Sequence, residues 1–134
     1  MIVLDAAALV DAVLDQPPKA WVLDQLTGQQ VCAPAHQSAE VLSAVARLQR
    51  AGEISSEVAR AALTEARALA QELVLPSAAH LARALDLQAG VRVLDGLYVA
   101  LAEERGCPLV TTDRRLVRAA PPCELRAPGG EDVG

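Results

Sequence analysis

The sequence predicts an α/β domain of three layers, α/β/α, with helices on both faces of a central, mostly parallel sheet. Three observations predict it. Short apolar runs (IVL at 2–4, VCAP at 31–34, LVLP at 73–76, PLV at 108–110) alternate with longer stretches of helical periodicity, the pattern of strand–helix units. The runs are apolar throughout instead of alternating, which suits strands covered on both faces. The helical stretches draw on 27 alanines, which favour helix and close packing. A chain of 134 residues with 52% hydrophobic residues holds one domain with a real core and is not disordered.

Taken in order, IVL is a first strand and AAALVDAVLD a helix. PPKAWVLDQL places Pro17 and Pro18 where prolines suit a helix start, with Gly28 beyond its end. QQVCAP is a second strand. From about Ala35 to Ala51, Val41, Leu42, Val45 and Leu48 recur at helical spacing, and Gly52 stops the run. ISSEVARAALTEARALAQEL is another helix, capped by Ser55 or Ser56. LVLP is a short strand, SAAHLARALDLQAG a helix closed by Gly90, and VRV a strand-like or turn segment before LDGLYVALAEERG, an amphipathic helix ending in glycine. PLVTT is a strand, DRRLVRAA a short helix and CEL a last strand. The domain is expected to span 1–126, leaving the Gly-rich, acidic 127–134 as a flexible tail.

Several function classes are excluded. No apolar run approaches the roughly 20 residues that span a bilayer, and no basic leader precedes an apolar stretch, so a cytoplasmic protein without a membrane partner is expected. Cys32, Cys107 and Cys123 are far apart and form no CxxC pattern, which points to buried thiols and not zinc or disulfides. The formal net charge of −5 opposes broad attraction to nucleic acid. Lys19 is the only lysine, however, and Arg92, Arg114, Arg115 and Arg118 are placed to form a local cluster.

The acids fall into a pattern. Asp5 ends the first strand, Glu40 sits in the first turns of its helix, Asp95 opens a helix, and Asp113 follows PLVTT. Open parallel sheets bind ligands beyond the carboxyl ends of their strands, where these four converge. Taken singly, each Asp also suits an N-cap and Glu40 a helix dipole, so capping and ligation stay open for each. Together, converging carboxylates need a cation, and hard divalent ions take oxygen ligands.

IVLD at the start, Glu40 in SAEVLSAVARL, and LDGLYVALAEERGCPLVTTDRRL resemble the PIN-domain family, and within it the VapC-type ribonuclease toxins of toxin–antitoxin pairs. The resemblance covers roughly positions 1 to 126. It implies a metal-dependent endoribonuclease with Asp5, Glu40, Asp95 and Asp113 as catalytic acids, and Asp5, Asp95 and Asp113 as metal ligands. It further implies Mg²⁺, or Mn²⁺, as cofactor, an RNA substrate, a homodimer, and a small cognate antitoxin protein. Ala7 departs from the small polar residue common there, and Leu94 and Gly96 from the more usual Tyr and Ala, whereas Thr111 matches.

Around that set, Thr111 is expected to bond a carboxylate from behind, with an ordinary strand residue as the alternative. Arg114 and Arg115 are expected to grip phosphates, against a solvated helix face. His36 and His80 have structural readings, His80 that of a solvated helix residue. Trp21 and Tyr98 are too few for a stacking platform and read as core or interface. Val13, Leu14, Trp21, Val22 and Leu26 serve either core or a contact with a second copy or antitoxin. The rival function is a catalytically weak or inactive PIN-like module that binds RNA or protein; Ala7 favours it and four retained acids oppose it. No Walker or GxGxxG loop supports a nucleotide cofactor, and no partnered His supports a Ser or Cys nucleophile.

Overall fold

A computed structural model describes residues 1–129. Five strands, β1 (Ile2–Leu4), β2 (Val31–Pro34), β3 (Glu72–Val74), β4 (Leu109–Val110) and β5 (Leu125–Arg126), form one sheet in the order β3-β2-β1-β4-β5. Every pairing is parallel, so the described sheet is wholly parallel. Seven helices connect it: α1 (Ala6–Val13), α2 (Lys19–Leu26), α3 (Gln37–Arg50), α4 (Ser56–Ala68), α5 (Ala78–Asp86), α6 (Val93–Arg105) and α7 (Arg114–Ala119).

The period of two along β1 separates the two core layers. Ile2 and Leu4 join Leu9, Val22, Val41 and Val45 on one face, whereas Val3 joins Tyr98, Val99, Leu101 and Leu109 on the other. The order in which strands are added reverses at β1: β2 and β3 lie to one side, β4 and β5 to the other. That switch point opens a crevice between the carboxyl ends of β1 and β4.

Two expectations are corrected, at α6 and at His80, and two open readings are narrowed. VRV is no strand: the Val91 N–H bonds back to Leu87 O at 3.0 Å, and Val93 already begins α6. Helix α6 is not amphipathic; Gly96 through Ala102 are all buried, because α5 packs across its outer side. His80 is buried, closing a capping box with Ser77 and lying 3.1 Å from a Glu104 oxygen. Val22 is fully buried, and Val13, Leu14, Trp21 and Leu26 pack partly buried against the core, which supports the core reading of that set. The cap of α4 is Ser55. Cys32, Cys107 and Cys123 are free thiols, Cys32 buried and the others half-buried. Of the expected tail 127–134, residues 130–134 lie outside the described residues. Among the described residues, no helix is long and apolar enough to cross a membrane.

Candidate active site

Asp5 follows the central strand, at the base of the crevice, and is 5% exposed. Its backbone N–H donates to Val110 O at 3.1 Å, which ties it to β4. Its Oδ1 accepts from the Ala8 N–H at 2.9 Å, capping α1, and its Oδ2 accepts from the Thr111 hydroxyl. The capping reading of Asp5 is therefore correct, and it does not account for the rest of the environment. Burial pushes the carboxyl up to about 7. The Thr111 and Ala8 bonds oppose the rise, and the charges of Asp113 and Asp95 add to it.

Thr111 is fully buried and works in two directions, donating to Asp5 and accepting the Asp113 N–H at 2.9 Å. Asp113 then caps α7 through the Arg115 N–H at 2.9 Å. One hydroxyl thus fixes two acids at the ends of neighbouring strands. Asp95 comes from the first turn of α6 and caps nothing; the nearest cation is Arg92, 3.9 Å away. Burial raises its pKa; Arg92 opposes this, the charges of Asp113 and Glu40 reinforce it, and Arg115 opposes it.

Glu40 enters from the first turn of α3 and is held differently. Tyr98, one turn beyond Asp95 on α6, donates its hydroxyl to Glu40 Oε1 at 2.8 Å. His36 Nε2 lies 3.3 Å from the same oxygen, and its ring leans on Tyr98 with centroids 4.9 Å apart. Burial works to raise the Glu40 pKa, but the His36 and Tyr98 contacts and the Arg92 charge outweigh it, and the net shift is downward.

The four acids and Tyr98 line one cleft of about 460 Å³, with Ala7 on its wall. Arg47, Arg92 and Arg115 also line it. Arg114 does not: it is exposed and lies outside the lining, because successive residues of a helix start point about 100° apart. Sequence reasoning missed the part played by Tyr98, gave His36, four residues before Glu40, a structural reading only, and missed Arg47. Their signals were spacing: three after Asp95, four before Glu40 and seven after Glu40, all shared helix faces.

Among the described residues, no three Asp, Glu, His or Cys side chains are grouped as a ready-made metal centre. The donor chemistry nonetheless fits a hard divalent cation. All the acids offer oxygen, Asp5 and Asp95 are raised partly by each other's neighbours, and Mg²⁺ needs only one or two carboxylates beside its waters.

Comparison with known proteins places the chain by family and fold. Residues 2–121 match the PIN domain model. Ribonuclease VapC3 of Mycobacterium tuberculosis is 40% identical over 126 residues, covering 90% of this chain and 88% of that one. The crystal structure of VapC20 from the same species, a sarcin–ricin loop cleaving toxin, shares the fold with a TM-score of 0.66 at 13% identity, over 89% of this chain and 95% of the other. So does VapBC2 from Rickettsia felis, solved bound to a DNA fragment from its promoter, with a TM-score of 0.65 at 19% identity over 95% and 98%.

Proposed function

The chain belongs to the PIN-domain family, among its VapC-type ribonucleases, and on that premise we propose that it is a divalent-cation-dependent endoribonuclease acting as the toxin of a toxin–antitoxin pair. The observation that carries the reading is the convergence of Asp5, Asp95, Asp113 and Glu40 on one cleft at the sheet's switch point, with Asp5 raised by burial and by its acid neighbours. Caps alone would not require mutual approach.

Asp5, Asp95 and Asp113 would hold Mg²⁺ or Mn²⁺, which when bound supplies an activated water and stabilises charge on the scissile phosphate. The chain's own residues set the stage for that. Thr111 holds Asp5 and Asp113 in one register, supplying from β4 a hydroxyl that Ala7 does not supply from α1. Glu40 stays ionised through Tyr98 and His36, and its free oxygen is available to orient a water or accept its proton.

A small antitoxin and a second copy of the chain are the partners in this reading. A pocket of about 150 Å³ beside α3 and α4, with Leu9, Val41, Leu63 and Leu69 on its apolar side and Gln37, Arg67 and Gln71 on its polar side, suits an amphipathic side chain of the antitoxin. Leu81, Leu85, Val93 and Leu94 on α5 and α6 are 43–58% exposed and suit the copy contact. The deciding experiment is cleavage of a structured RNA pool by partner-free protein with Mg²⁺, with Mn²⁺ and with chelator, beside Asp95→Asn. Cleavage should need the cation and vanish in the variant. Full activity in Asp95→Asn would overturn the site assignment.

A further inference from the structure

We propose that Arg47, Arg92 and Arg115 form a three-point clamp that grips the phosphates of a single-stranded RNA backbone across the cleft mouth. The assignment rests on the ribonuclease reading above and names how that site holds its substrate.

Three of the elements that deliver an acid to the cleft also deliver an arginine. Helix α3 carries Glu40 and, two turns on, Arg47. Arg92 is the N-cap of α6, three residues before Asp95. Arg115 lies two residues past Asp113. All three arginines line the same cleft as the acids. An acidic floor is thus rimmed by cations from three directions.

Those guanidiniums form no bidentate pair among the described residues. Arg92 Nε stands 3.9 Å from Asp95 and Arg115 Nε 3.8 Å from Asp113, single long contacts. Arg47 has no carboxylate within 4 Å among the described residues. Two forks elsewhere are filled, Arg83 gripping Glu103 with bonds of 2.9 and 3.0 Å and Arg105 gripping Glu72 with bonds of 3.0 and 3.3 Å. Other arginines unpaired among the described residues, such as Arg50 and Arg67, lie outside this cleft. What sets Arg47, Arg92 and Arg115 apart is that they line it together with the acids. The open forks at the cleft match the bidentate geometry of phosphate.

Base recognition has less to work with. Tyr98 is 1% exposed and committed to Glu40, and Trp21 packs into the core, so neither offers a stacking face in the cleft. A chain of net charge −5 also repels a polyanion at long range, which leaves the rim as the local attraction.

The test is binding of a short fluorescent single-stranded RNA by anisotropy across a salt series, in chelator so that no cation contributes. Wild type should show a log–log salt slope near 2, from about 0.7 per phosphate contact. Each of Arg47→Gln, Arg92→Gln and Arg115→Gln should weaken binding several-fold and flatten the slope by about 0.7, and the triple variant should lose both. Arg83→Gln is the control and should leave the slope unchanged. With Mg²⁺ present, the single variants should raise KM more than they lower kcat. Wild type without salt-dependent binding, or a triple variant that binds as wild type does, overturns the clamp. Arginine-dependent binding without cleavage under any cation would overturn the ribonuclease reading and leave the clamp standing.

Discussion

Two carboxylates in one cleft are treated in opposite ways. Asp5, on the β1–β4 side, is pushed up to about 7, whereas Glu40, between α3 and α6, is shifted downward. Both lose solvation, but unequally: Asp5 is almost wholly buried and burial is the largest cause of its rise, whereas Glu40 is half-buried and its desolvation is outweighed. Charge adds to that difference: Asp5 faces Asp113 and Asp95, while Glu40 faces His36 and Arg92. One half of the site is thus left short of positive charge by the chain itself, and the other half is complete. A bound cation has work to do at the first and little at the second.

The largest effect that would break this comparison is at Asp5. The rise from 3.8 to about 7 corresponds to about 4 kcal/mol of disfavoured ionisation in the folded, cation-free protein. The cost is absent below pH 3.8, where both folded and unfolded carboxyls are protonated. It grows between pH 3.8 and about 7, as the unfolded state ionises first, and is constant above that. Asp5→Asn keeps the cap and removes the charge, so in chelator it should gain stability over wild type as pH rises through that window. Saturating Mg²⁺ should shrink the difference. Chemical denaturation across pH checks it, and a pH-independent difference would refute the account of Asp5.

Glu40 should behave with the opposite sign. Its lowered pKa contributes stability that is present above 4.5 and lost as pH falls through its folded value. Tyr98→Phe removes the 2.8 Å hydroxyl donor without leaving a new buried polar atom on the tyrosine side. The expected cost is about 2 kcal/mol near neutral pH, that of a hydrogen bond to a charged group, fading toward acid. Carboxyl-carbon NMR should show the Glu40 titration moving upward, and an unmoved titration would mean that His36 suffices.

These two halves were unequally legible in the sequence. The β1–β4 half was readable because strand ends announce themselves: an apolar run stops at Asp5, and PLVTT stops at Asp113, with Thr111 in between. The acids of the other half were found, but their support was not. Tyr98 reads as one more apolar helix residue until α3 is placed against α6, and that placement is tertiary. Arg114 and Arg115 are adjacent in sequence, and only the start of α7 decides which one turns inward. VRV stays open between strand and turn because a β-branched pair flanks Arg92, and the turn back to Leu87 that decides it depends on how α5 ends.

The smallest expected effect lies where α5 meets α6, and it concerns how Asp95 is aimed. Gly96 stands where the family more usually has Ala, and here the substitution has no room. A Cβ at 96 would meet Ala84 Cα at 2.9 Å and Ala84 Cβ at 3.0 Å, and the first of these is backbone. Gly96→Ala should gain about 1 kcal/mol of helix propensity and lose about 1–3 kcal/mol to overpacking, a small net destabilisation. Because Asp95 is the preceding residue, the shift that relieves the clash also moves the acid. Cleavage should fall about tenfold through kcat, while RNA binding in chelator, which depends on the rim arginines, stays unchanged. Ala84→Gly in the same chain removes the opposing Cβ but leaves the opposing Cα, so rescue should be partial. A Gly96→Ala variant that is more stable than wild type and fully active would show that α5 yields freely, and that the aim of Asp95 is set by Tyr98 and the cleft alone.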